Sequence, residues 1–208
     1  LSGDVQWMTA GRGIIHCEEP HEEFLKTGGR THGFQIWVNL PSSHKMMEPR
    51  YQEVPTTESP IVEQDGVWAR VIAGECMGTT SSIDTKIPIT LIHVKMKPES
   101  RLVQQLQADL NGMIYVFTGE INLENEIKVK KNPIAFGIGA KQVIQDGELA
   151  LLSEGEEIVI ESQEGAEFLI LAGPELNEPI ERYGPFVMNT KEEIHQAFLD
   201  YQNGTLTS

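Results

Sequence analysis

His16 and Glu18 stand two residues apart in the string AGRGIIHCEEP, residues 10–20. On an extended backbone, residues two apart share a face, so an imidazole and a carboxylate would project together while Ile15 and Cys17 point the other way. Such a pair is half of a facial non-haem iron site. That site takes two or three His and one carboxylate and leaves positions open for substrate or oxygen. Spacing alone favours a plainer role, a polar strand end in which His16 hydrogen-bonds Glu18.

The other candidate groups do little to complete a site. His32 precedes an apolar run, His21 and His44 fall in polar stretches, and His195 lies off the apolar stripe of a helix. His93 alternates with Leu91 and Lys95, opposite Ile92, Val94 and Met96, and so faces away from its core. Cys17 is expected as a buried, inert thiol, with a redox-sensitive thiol as the alternative. No nucleophile elbow, P-loop or dinucleotide fingerprint occurs, and residues 136–142 offer no helix to receive a phosphate. Asn203-Gly204-Thr205 has the form of a glycosylation acceptor but reads as a chance tripeptide.

Composition limits the partners. Sixteen Lys and Arg against thirty-one Asp and Glu give a net charge of −15. That charge repels nucleic acid and anionic membrane, so direct binding to either is not expected. Two cysteines in 208 residues exclude a disulfide scaffold and fit a reducing compartment. No apolar run reaches membrane-spanning length, and LSGDVQWM lacks the basic and apolar regions of a signal peptide, so an intracellular protein is expected.

To position His16 and Glu18, the chain must supply strands. Its nineteen Gly and eleven Pro punctuate short apolar runs, the rhythm of an all-β protein. The patterns predict strands at 5–8, 13–17, 34–39, 67–73, 89–96, 112–117, 121–123, 134–139, 149–152, 157–162 and 166–172. Residues 41–66, rich in Pro, Ser, Thr and acids, read as a linker between two units. One helix is predicted at the end, where Thr190 and Glu193 have capping-box spacing and Ile194, Ala197, Phe198 and Tyr201 form a stripe. The string EGEEIVIESQEGAEFLILAGP, residues 154–174, shares its order of turns and strands with SGDVQWMTAG followed by GFQIWVNLP. The later copy follows a long front half of strands and the earlier one does not, so the first unit is expected to begin in its middle.

The strings GDVQWMTAGRGIIHCEEP (Gly3 to Pro20), HGFQIWVNLP (His32 to Pro41), PRYQ (Pro49 to Gln52), FLILAGPELNEPIERYGPFVMNT (Phe168 to Thr190) and EEIHQAFLDY (Glu192 to Tyr201) together resemble the pirin family of bicupin proteins. The resemblance implies two tandem cupin barrels, each a double-stranded β-helix, the first truncated at its N-terminus, with a C-terminal helix. The expected division is 1–50 for the surviving half of the metal-holding barrel, 51–66 for a linker, 67–174 for a metal-free barrel and 175–208 for the tail and helix.

It also implies one iron per intact chain, with His16 and Glu18 as two of its ligands. The family's other motif, a His-x-His, has no counterpart in these 208 residues, so the site is expected to be incomplete within them. In the second barrel Gln104, Gln105 and Gln107 stand in corresponding strands, and neutral amides hold divalent iron poorly. The implied activity is that of a quercetin 2,3-dioxygenase, opening a flavonol with oxygen. Glu18 would then also take the substrate's hydroxyl proton, and Trp7, Met8, Phe34, Ile36 and Trp37 would serve as pocket wall or as core. The alternative is an iron-dependent transcriptional co-regulator that binds a transcription factor or another protein, in nucleus or cytoplasm.

Overall fold

Alternation of aliphatic with polar residues makes strands the main regular structure, and the computed structural model describes residues 3–17, 19–20, 22–124, 143–153 and 155–207. In chain order the first elements are β1 (Val5–Thr9), α1 (Glu22–Thr27), α2 (Ser42–Lys45), β2 (Arg50–Val54) and β3 (Ile61–Gln64). Then come β4 (Val67–Ala73), β5 (Glu75–Cys76), β6 (Thr79–Thr80), β7 (Thr90–Met96), β8 (Ser100–Gln105) and β9 (Leu110–Leu123). The rest are β10 (Val143–Gln145), β11 (Leu149–Leu151), β12 (Glu157–Ser162), β13 (Ala166–Pro174), β14 (Glu181–Tyr183), β15 (Phe186–Met188) and α3 (Lys191–Asn203). The chain divides into one unit of Leu1–Thr56 with Leu176–Ser208 and a second of Thr57–Glu175.

The second unit is an antiparallel sheet in the order β3-β4-β7-β13-β9-β12-β8, with β10 and β11 also pairing β9. Its inward face holds Ile92, Ile114, Ile160, Phe168 and Ile170, all fully buried. Burying each such side chain is worth about 1.5–3 kcal/mol. β13 pairs β7 on one side and β9 on the other along its length, which explains its nearly unbroken apolar run.

Several stretches differ from the sequence reading, each for a physical reason. Residues 112–123 form one long strand within β9 rather than two strands with a turn between them. Gly119 takes φ +75° there, and a side chain at that position would strike the carbonyl oxygen of Gly165. The glycine therefore bends a continuous strand, and the register against β13 shifts beside it, between Glu167 and Phe168. The stretch 41–66 carries α2, β2 and β3. β3 is joined to β4 by a two-residue Asp65-Gly66 turn with both φ values positive, 49° and 82°, the conformation that suits a tight hairpin.

In the first unit β1 pairs β2 from Val5↔Val54 to Thr9↔Arg50, and β14 pairs β15. α3 starts where predicted. The Thr190 hydroxyl accepts from the Glu193 N–H at 3.2 Å, and the Glu193 carboxylate accepts from the Thr190 N–H at 2.9 Å. Ile194 is buried, and Phe198 meets Phe186 and Tyr183 edge-on. Neither 13–17 nor 34–39 forms a strand, and Phe34, Ile36, Trp37 and Val38 are 37–53% exposed. A strand needs a neighbour to take its backbone N–H and C=O groups, and none lies beside these segments among the described residues. The predicted strand at 134–139 lies outside the described residues.

Candidate metal centre

His16 follows a turn whose geometry is set by backbone contacts. Gly11 takes φ +52°, with the carbonyl of Met47 so close that no side chain fits. The N–H of Arg12 donates to that same carbonyl at 2.9 Å, and the Arg12 guanidinium pairs with Glu48. Beyond the turn the chain runs as irregular backbone, and Ile15, His16 and Cys17 are all exposed. The expected alternation is therefore absent. Ile15 is 66% exposed, and Cys17, expected to be buried, is exposed with its thiol 3.7 Å from the Glu19 carboxylate.

Glu18, the expected partner of His16, lies outside the described residues, as does His21. Among the described residues no group of three or more His, Cys, Asp or Glu side chains is gathered in a way that could hold a metal ion. His32 lies against Phe34 at 5.4 Å between ring centroids, and His44 Nδ1 is 2.9 Å from the Ser43 hydroxyl. His195 is exposed on α3. Among the described residues His16 thus stands as one imidazole of a site that, for non-haem iron, takes three or four protein ligands. Of the pocket-wall candidates, Trp7 and Met8 are half-buried, while Trp37 is exposed with the Arg182 guanidinium stacked on its ring at 4.6 Å.

Polar groups buried elsewhere escaped the sequence reading. In the first unit Lys45 is 5% exposed, and its ammonium donates to Asn39 Oδ1 at 2.7 Å and to the Val187 carbonyl at 3.4 Å. Burial lowers its pKa, against the pull of Glu178 and Glu193. The Glu178 carboxylate accepts from the Ser42 N–H and hydroxyl and from Asn189, which together hold it below the usual carboxylate range. In the second unit Gln104 is 3% exposed, its amide nitrogen donating to the carbonyls of Glu75 and Gln105. A buried lysine inside an apparently polar linker leaves no periodic signal. Gln104 could have been found, since Ser100, Leu102 and Gln104 share one face of a strand.

An antiparallel sheet wrapped round a single apolar core, with a long strand bending from one set of partners to another, defines the second unit as a cupin-type β fold. A model described as the pirin C-terminal cupin domain matches residues 91–207, and one described as pirin matches residues 1–38. Human pirin is 39% identical over 203 residues, covering 97% of this chain and 64% of its own length. A pirin-like protein of Solanum lycopersicum is 39% identical over 205 residues, covering 98% and 64%. A solved structure titled quercetin 2,3-dioxygenase, from Acinetobacter baumannii, superposes with a TM-score of 0.82 at 34% identity, covering 99% of this chain and 67% of that one. The chain belongs to the pirin family. It spans less than two thirds of the length of these curated relatives. No helix among the described residues is long and apolar enough to cross a membrane.

Proposed function

We propose that this chain is part of a pirin-type iron protein that opens a flavonol with molecular oxygen, a quercetin 2,3-dioxygenase. His16 and Glu18 would be two of the metal's ligands, with the rest supplied by residues outside these 208. The observation that carries the reading is the 34% identity, over nearly the whole chain, to a structure titled with that activity. Fold alone would not carry it, since cupins host enzymes and binding proteins alike. Glu18 is assigned a second role, accepting the proton of the substrate hydroxyl, because an ionised carboxylate beside the substrate can act as its base.

In this reading residues 1–50 are one side of a metal-holding barrel. The exposed apolar run at Phe34, Ile36, Trp37 and Val38 supports this, because such a run suits a surface covered by further strands. Residues 67–174 form the metal-free barrel, in which Gln104, Gln105 and Gln107 are amides.

Oxygen uptake and loss of quercetin absorbance, measured on iron-loaded full-length protein, test the proposal. Turnover is expected in the wild type and is expected to vanish in His16→Ala and Glu18→Gln. An iron-loaded protein that consumes no oxygen with quercetin would overturn it. A second reading would then stand, an iron-dependent co-regulator in nucleus or cytoplasm whose acidic surface docks a basic transcription factor. The −15 charge favours such a partner.

A further inference from the structure

Among the described residues, the two outer strands of the second unit's sheet are β3 and β8. A groove of about 600 Å³ lies against both, lined by Gln64, Asp65, Met77 and Glu99 and by residues 100–103 of β8. The ladder tells which backbone groups of β8 face it. The N–H of Glu124 donates to the Val159 carbonyl at 3.2 Å, so Val159 turns toward β9. The N–H of Leu106 donates to the Glu156 carbonyl at 2.8 Å, so Glu156 turns toward the β8 side. Bonding alternates along an antiparallel strand. Ile158 and Ile160 therefore bond β8, through their register partners Gln104 and Leu102. Arg101 and Val103 consequently direct their N–H and C=O groups away from β12, toward the groove. The Gln105 carbonyl is already taken by the Gln104 amide.

We infer that this edge accepts an extended, basic segment of a partner protein as an added strand. An edge strand with two N–H and two C=O groups presented to a groove is a template for main-chain pairing. Val103, 38% exposed, offers an apolar contact beside it. Charge selects the occupant. Asp65 and Glu99 stand on the rim, and Arg101, the one cation in the lining, lies within 3.6 Å of Glu124 and Glu161 carboxylates. A second copy of the chain would bring another −15 charges to the same edge, which disfavours self-pairing. The site is on the second unit and does not depend on iron or on the proposed activity.

The probe is the peptide acetyl-Arg-Val-Arg-Val-Arg-amide, added to the full chain labelled with ¹⁵N, with acetyl-Glu-Val-Glu-Val-Glu-amide as control. The basic peptide is expected to bind saturably and to slow hydrogen exchange at the Arg101 and Val103 N–H groups by about tenfold or more, leaving Leu102 unchanged. Val103→Pro removes one edge donor at a place where proline is tolerated, and it should weaken binding. Asp65→Asn and Glu99→Gln, which leave the strand intact, should each weaken binding up to about fivefold. The inference is overturned by a failure to saturate, by equal binding of the acidic peptide, by protection that misses Arg101 and Val103, or by edge pairing between two copies in sedimentation.

Discussion

Nε2 of His93 stands 2.7 Å from Oε1 of Glu167, on adjacent strands β7 and β13 and on the sheet face turned away from the core. Lys95 Nζ reaches the same oxygen at 3.0 Å, and the Trp68 ring lies edge-on to the imidazole at 5.3 Å. Burial lowers the pKa of His93 more than Glu167 raises it, with Lys95 and Arg70 adding to the decrease. Burial pushes Glu167 upward, yet hydrogen bonds from Lys95 and His93 outweigh it, and the net shift is downward. Both directions describe one state, a neutral imidazole donating to an ionised carboxylate.

Stability should therefore fall with acid. His93 has a folded pKa below its ordinary 6.5, so in that window the unfolded chain binds the proton first. Its contribution is fully present above 6.5 and is lost as pH falls through the folded value. Urea unfolding at pH 7 and pH 5 should show this drop in the wild type and a smaller one in His93→Gln. An unchanged pH dependence in the variant would contradict the assignment.

Lys45 should matter more than its place in a polar stretch suggests. Lys45→Ala leaves Asn39 Oδ1 without its donor and removes the cation between Glu178 and Glu193. A loss of about 1–3 kcal/mol is expected, read by chemical denaturation. Lys45→Met, which keeps the packing of the stem, should lose less. A neutral effect of the alanine variant would show that the network is not structural.

The two thiols should differ in reactivity. Cys17 is exposed, whereas Cys76 is 1% exposed, with its pKa pushed up to about 11 by burial and then by the charge of Glu75. A thiol reagent should label one cysteine in the native chain and the second only in denaturant. Rapid labelling of both would contradict the burial of Cys76.

Alternation made the second unit largely legible. The predicted 67–73 and 157–162 strands have the bounds found, and His93 faces outward as its neighbours implied. Failures trace to properties that one segment does not encode. Alternation did not mark β8, whose inward set, Ser100, Leu102 and Gln104, is two-thirds polar, and the family resemblance alone placed Gln104 in a strand. Residues 13–17 and 34–39 have strand-like patterns but lack a neighbouring strand among the described residues, and pattern alone forms no ladder. The outward turn of Cys17 follows from the same lack. His16 was legible as a candidate ligand from its place after AGRGII, but the convergence of ligands depends on chain partners that no local spacing reveals.

Iron content per chain of the full-length protein, measured by elemental analysis after anaerobic loading, bears most directly on the role of His16. About one iron per chain is predicted for the wild type and less than about a tenth of that for His16→Ala, with the β-sheet unfolding transition unchanged. Iron retained at the wild-type level by His16→Ala would contradict it.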